Sequence, residues 1–576
     1  MSNSLVVPTN RATRRSLARR GGALGAGGVL VAGSAAALLT ALAGSAGAAA
    51  TVTVDSNADG TADASHCTDG TVGNCTLRDA VAAAADGDTI TFFPSVTNIT
   101  LTDGTIVLGA ENIIGPGSAS LAITTSAPAS YDVFSFQGTG DVTVSGLSLT
   151  KNRIFTYNRG KFTLDDVSIS NSYAGYGGAL YAANSGDLVI SGSHFENNAS
   201  GNASKGGAIY AINGGDVTIT DTEIINNDAQ TNGAGGGIFV GAGATSFSLT
   251  DSVVTGNSAK SGGGMDIRTA GTVTIADSDI SSNTSVYGGA GAIITYAGAD
   301  VSIERSTIDG NTTTAKGDGG GLKVADRSLV VTDSTISHNV AGNTGGGIAI
   351  DRGTKVTINN TTITGNQAVT GGGLYASHMP VEINQSTIVN NNATNRSGGV
   401  WLYSSSMDIS GTIISGNISA VAGLEDVSTL YVTAINSDHS LLGNVGVVPG
   451  FAPTPVTDLG GTIRSSTPGL TPLADNGGPT KTMALDPSSI AIDAGPDPVA
   501  TFTGNGFDQR GTPYVRVSGS SVDIGAFELP AYSPPTFSTS SSSTTSTTAP
   551  PASTTTLVID PTTTVAVDPM VPEFTG

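Results

Sequence analysis

Four charged residues and seven aromatics are the side chains in this sequence best suited to chemistry. Asp266, Arg268, Lys323 and Asp351 are of types that act as acids, bases or electrostatic stabilisers. Tyr181, Tyr210, Phe239, Tyr296, Tyr375, Trp401 and Tyr403 offer flat apolar faces against which a ligand ring can stack. The spacing argues against a tight catalytic pair. Asp266 and Arg268 are neighbours on one strand face, but Lys323 and Asp351 lie far along the chain, and the intervening sequence has no clustered histidines or paired acids. Tyr and Trp also suit strands for packing reasons alone.

A repeat determines whether these side chains share a face. Glycine pairs or trios precede Leu180, Ile209, Ile238, Met265, Ile293, Leu322, Ile348, Leu374 and Val400, at gaps of 29, 29, 27, 28, 29, 26, 26 and 26. A second phrase, Asp-Ser-x-Ile-x-x-Asn in its fullest form, ends at Asn198, Asn227, Asn257, Asn283, Asn311, Asn339, Asn366, Asn391, Asn417 and Asn444. Two markers drifting together at one period indicate a solenoid.

Gly, Thr, Ser, Asn and Val disfavour helical repeats, and stretches such as Asp216–Thr220 alternate with a period of two. The expected fold is all-β: a single-stranded right-handed parallel β-helix solenoid with a short N-terminal capping helix. The residues after the glycines point inward, as do those two further on, from Ala182 to Leu402. Ile224, Val254, Ile280, Ile308, Ile336, Ile363, Ile388 and Ile414 form a second inward column. The recurrent Asn suits a corner, where it tolerates a left-handed backbone and its amide can bond the next Asn. Residues one or three after the inward marker then share an outer face, which holds all eleven side chains named above. Asp251, Asp277 and Asp333 recur once per rung, as turn-stabilising residues do.

The ends differ from the repeats. Arg11, Arg14, Arg15, Arg19 and Arg20 precede an uncharged run ending at Ala48-Ala49-Ala50, an export segment. Thr13-Arg14-Arg15-Ser16-Leu17 fits a twin-arginine route, and the general secretory route or a retained anchor are the alternatives. The chain carries −22; 24 cations less those five arginines leave 19 against 46 acids, or −27. That balance excludes nucleic acid and an anionic membrane surface as partners. Cys67 and Cys75 are expected to form a disulfide, since His66 beside them lacks the further ligands a metal would need. Thr76 and Asp79 make a capping-box pattern before a helix-forming run that would cover the open end of the core. Downstream of the repeats, Asp475, Asp493, Asp497, Asp508, Asp523 and Glu528 supply oxygens that would bind Ca²⁺ if they converged. From Pro530 onward the Ser/Thr/Pro composition predicts a disordered tail.

Three segments carry a resemblance. Cys75-Thr76-Leu77-Arg78-Asp79-Ala80-Val81 resembles the signature of the CSLREA domain. The glycine phrases and Phe195-Glu196-Asn197-Asn198 resemble repeats of chlamydial polymorphic outer membrane proteins and the pectin-lyase-like superfamily. Pro472–Thr480, Ala491–Gly495, Phe507–Gly511 and Val522–Glu528 resemble the choice-of-anchor Q region. The resemblance covers roughly residues 51–529 and divides the chain into an export signal (1–50), a CSLREA-like cap (51–100), β-helix repeats (101–445), an anchor-Q-like region (446–529) and the tail (530–576). It implies an exported protein, secreted or at the cell surface, usually without assigned activity. The attachment signal that usually follows the anchor region is not seen. The expected role is non-catalytic binding, adhesion or surface display, with an extracellular polysaccharide or another cell surface as partner and no required cofactor. In pectin-lyase-like enzymes the substrate lies along one outer sheet. The alternative is therefore a polysaccharide lyase or glycoside hydrolase working along the aromatic face, with Asp266, Arg268, Lys323 and Asp351 as its catalytic candidates.

Overall fold

The computed structural model describes residues 49–530 except 127–131, 231, 297, 315, 326 and 453. These belong to the first of two compact units, Met1–Ala531; the second is Tyr532–Gly576. The tail and nearly all of the export segment lie outside the described residues.

The chain winds as a right-handed parallel β-helix. In one turn Leu180–Ala182 lies in the first sheet, Leu188–Ser191 and His194–Glu196 lie in the second, and Ala199–Ser200 lies in the third. Ile209–Ala211 then re-enters the first sheet one rung on. The first sheet stacks 14 strands and the second 29 segments, two per rung over most of its length. At roughly 4.8 Å per rung, fourteen rungs make an axis of about 65 Å. Pairing is parallel and in the register the repeat requires: Leu180 on Ile209, Ile209 on Ile238, Ile238 on Met265. The inward columns are fully buried and join one continuous core. A β-branched or leucine side chain buried in this way contributes roughly 1.5–3 kcal/mol.

Two polar ladders hold the corners. The side-chain amides of nine asparagines run from Asn198 to Asn417, each Nδ2 donating to the next Oδ1 at 2.9–3.0 Å. The ladder ends on Asp426, not on Asn444: Asn417 donates to one Asp426 oxygen at 2.9 Å, and the Asn444 backbone N–H donates to the other at 2.8 Å. The left-handed backbone also differs from expectation. It falls on the residue before each ladder asparagine, such as Asn197, Asn226 and Asn390, so the ladder residues are free to point inward. Hydroxyls form the second ladder: the Thr222 N–H donates to Ser252, Ser252 to Ser278 and Ser278 to Ser306. Immediately before this column Asp251, Asp277 and Asp333 adopt positive φ, consistent with a turn role. Among the glycines, Gly235 has φ +67°, and a Cβ on Gly236 would collide with the Gly263 and Ser258 carbonyls.

Thr76 and Asp79 close a capping box on the helix Leu77–Ala83, which buries Leu77 and Ala80 against the first rungs. The first strand, Thr51–Val54, precedes this helix and pairs with Thr89–Phe92. The Cys67–Cys75 disulfide is formed. At the other end parallel pairing continues past 445 through Val456–Gly460 and Ile463–Arg464. Residues 466–529 then turn back along the outside of the second sheet as a strap. Met483, Leu485, Ala491 and Ile524 of the strap pack on Val389, Ile413 and Leu441 of the sheet. Gln509 spans the seam, accepting from the Thr362 hydroxyl at 2.6 Å and donating to Thr335 at 2.9 Å and to the Lys481 carbonyl at 3.1 Å.

Candidate functional site

The first sheet bears a strip along its outer face. One column lies one residue after the inward marker: Phe155, Tyr181, Tyr210, Phe239, Asp266, Ile294, Lys323, Ala349, Tyr375 and Trp401, paired rung on rung. A second column, two residues on, carries Tyr157, Arg268, Tyr296, Ala325, Asp351 and Tyr403. The segment entering each strand adds a side wall four residues before the marker, where Tyr176, Lys205, Asp318 and Arg396 sit. All eleven expected residues lie on this strip.

Three of them are not open to solvent. Trp401 is only 3% exposed, with the Arg396 guanidinium over its ring at 5.5 Å. Phe239 is buried beneath Lys205 at 4.5 Å and Arg268 at 5.0 Å. Asp266 is fully buried, and Arg268 clasps both its oxygens at 2.8 and 3.1 Å. Alternation of facing is correct at these positions, but Lys205 and Arg396 of the side wall cover the two rings and Arg268 covers Asp266. Burial pushes the Asp266 carboxyl above the ordinary range despite that arginine.

Of the four charged candidates only Lys323 and Asp351 line one notch; Asp266 and Arg268 lie apart from it. Asp266 and Arg268 satisfy each other. Lys323, two rungs on, pairs with Asp318 at 2.9 Å. Asp351 lies near Arg352 at 3.6 Å and His378 at 3.7 Å. Asp318 also accepts from Asn343 at 2.7 Å and Thr344 at 2.8 Å. Burial raises the Asp318 carboxyl, but Lys323 and these donors outweigh it and bring it below its usual value. The side-wall column that already held Lys205 and Arg396 could have revealed Asp318.

Lys323, Asp351, Asp318 and Tyr375 line a notch of about 170 Å³ whose floor includes Ala349. Small side chains at Ala325 and Ala349 interrupt the aromatic strip there. On one side Phe155 and Tyr181 stack at 4.8 Å, Tyr181 and Tyr210 lie 5.2 Å apart, and Tyr176 adjoins Tyr210 at 5.1 Å. On the other side Tyr403 meets His378 at 5.1 Å and Tyr431 at 5.8 Å, and Tyr431 meets Phe451 at 5.3 Å. The outermost rings are open: Tyr157 is 61% and Tyr431 60% exposed. A larger depression of about 320 Å³ lies outside the second sheet. Its polar groups are taken up by one another, as Asn436 on Asp408 at 2.7 Å and Ser410 on Asp438 at 3.1 Å show. We therefore place the candidate site at the notch.

The acids of the strap point elsewhere than at a shared cation. Asp508 forks Arg510, Asp493 accepts from Ser520 and Ser521, and Glu528 accepts from Ser518 and Asp523. Among the described residues no group of three or more His, Cys, Asp or Glu side chains is arranged to hold a metal ion.

No curated protein matches the chain in sequence. Among solved structures, the A-module of the mannuronan C-5 epimerase of Azotobacter vinelandii is similar at 13% identity and a TM-score of 0.31, over 67% of this chain and 93% of that one. The catalytic unit of a thermostable α-1,3-glucanase from Streptomyces thermodiastaticus is similar at 13% identity and a TM-score of 0.30, over 68% of this chain and 65% of that one. At this distance neither activity transfers to this chain. Residues 127–275 and 258–383 match the family described as right-handed β-helix region, which agrees with the fold built above from strand pairing.

Proposed function

We propose that this is an exported β-helix protein that binds an extended polysaccharide along the outer strip of its first sheet, as a surface-display or adhesion module, without cleaving it. The observation that carries the reading is the strip itself, two runs of aromatic rings in one register flanking a polar notch. Such a layout offers stacking platforms on both sides of a few directional hydrogen-bonding groups, as glycan recognition requires. Asp266 is buried in its own ion pair away from the notch that Lys323 and Asp351 line, and Lys323 is taken up by Asp318, which supports binding over catalysis. The Cys67–Cys75 disulfide and the basic-then-uncharged leader support export to an oxidising compartment. The signatures at Cys75–Val81 and Val522–Glu528 support placement among CSLREA-domain and choice-of-anchor Q proteins, with the strap as the anchor-Q-like element.

The test is titration of the full chain with a panel of soluble polysaccharides. Tyr403→Ala is expected to weaken the best ligand about tenfold, a loss of roughly 1.4 kcal/mol. Unsaturated or reducing-end products that disappear in Asp351→Ala would reassign the site to a lyase or hydrolase. Failure of every polymer to bind would overturn the reading.

A further inference from the structure

Resting on that reading, we infer that the polysaccharide the strip takes is uncharged, and that polyuronates and other polyanions are excluded.

Six cations lie on or beside it. Arg153 bonds Asp132 at 2.6 Å, Arg268 is held by Asp266 at 2.8 Å, and Lys323 bonds Asp318 at 2.9 Å. Arg352 lies 3.6 Å from Asp351. Each of these positive charges is already offset by a carboxylate. Lys205 and Arg396 form no direct ion pair among the described residues, although Asp266 lies close enough to act on Lys205, and they lie on the faces of Phe239 and Trp401. Seven rungs separate their strands, roughly 34 Å along the axis. Among these six, a polymer with a negative charge on each sugar would therefore meet only two cations without a direct carboxylate bond, whereas recognition of anionic groups relies on repeated charge-assisted contacts.

The exposed groups favour an uncharged ligand. Asp351 is 53% exposed at the notch, an acceptor suited to sugar hydroxyls and repulsive to a uronate. Tyr157, Tyr176, Tyr431 and Phe451 present open ring faces that carry no charge. The leaderless chain carries −27 in total, so its long-range field repels polyanions before any contact forms.

The experiment titrates the full chain with three probes, an uncharged β-1,3-glucan, an uncharged mannan and polygalacturonate, at low and high salt. At least one uncharged polymer is expected to bind about tenfold or more tightly than polygalacturonate. Its affinity should change less than about twofold when salt rises to 0.5 M, because no long-range charge attraction is being screened. Tyr431→Ala should lose that binding, and the double variant Lys205→Ala with Arg396→Ala is titrated with polygalacturonate. Polygalacturonate binding that is strongest at low salt and lost in the Lys205/Arg396 variant would overturn this inference and leave the proposed function standing. If no polymer binds at either salt, both fail.

Discussion

Asp266 shows what a single residue on this strip costs the protein. It lies on the outer face, yet no water reaches it, because Arg268 closes over it and also covers the Phe239 and Tyr296 rings at 5.0 and 5.5 Å. A buried ion pair of this kind contributes little net stability, but its half-removal is expensive. Arg268→Met, which keeps a side chain over Asp266 but removes both donors, strands the carboxyl and is expected to lower unfolding stability by about 3 kcal/mol near neutral pH. At acid pH the penalty should shrink, since protonation removes the stranded charge. Urea unfolding of wild type and variant at both pH values checks this, and a pH-independent loss would contradict it. The same residue marks where sequence reasoning stops. Alternation along Met265–Ile267 places Asp266 outward, but its burial depends on a guanidinium two residues on.

Among the elements, the rungs were readable and the strap was not. A rung repeats its instructions: glycines at one corner, an inward pair, a hydroxyl ladder and an asparagine ladder, all within about thirty residues. The strap has no period, and its partners lie up to 174 residues away, as with Ala526 on Thr387 and Gln509 on Thr335. One trace was present in the rungs themselves. The outer positions of the second sheet change from His194, Glu196 and Glu223 in early turns to Thr335, Thr362, Val389, Ile413 and Leu441 in the late ones, where the strap covers them. Phrases such as Asp508-Gln509-Arg510 were recognisable by resemblance, but their purpose became clear only once the seam was seen. Gln509 is fully buried and joins strap to sheet on both sides of its amide. Gln509→Ala is expected to loosen the strap without unfolding the solenoid. Residues 466–529 should gain hydrogen exchange and protease sensitivity while strands such as Ile363 and Ile388 stay protected. Equal loss of protection in both regions would mean that strap and solenoid open as one unit.

At the scale of the whole molecule, ionisation makes the fold an acid-side structure. Each of the five histidines stands beside a carboxylate: His66 with Asp79, His194 with Glu223, His338 with Asp309, His378 with Asp351 and His439 with Asp438. Hydrogen bonds to those carboxylates raise His66, His194 and His338 above their ordinary value. Beneath the strap, burial lifts Glu528 to about 7 and Asp333 to about 6, although the fully buried Arg516 pulls both down. All five raised groups hold protons in the folded state that the unfolded chain releases. Their contribution is therefore complete below the unfolded values and is lost as pH rises through the folded ones. For Glu528 and Asp333 that window runs from about pH 4 to about 7, and together they are worth on the order of a few kcal/mol. Asp309 and Asp318 are shifted the other way, so their contribution is lost only as pH falls below about 4. Stability should accordingly peak near pH 5 and decline toward pH 8. Urea midpoints across that range measure the slope, and Glu528→Gln, which removes the titrating proton while keeping the side chain's size, should flatten it between about pH 6 and 8. A midpoint that rises with pH over this range would show that the buried carboxylates beneath the strap do not hold their protons, and the seam would then have to be an ionised network organised around Arg516.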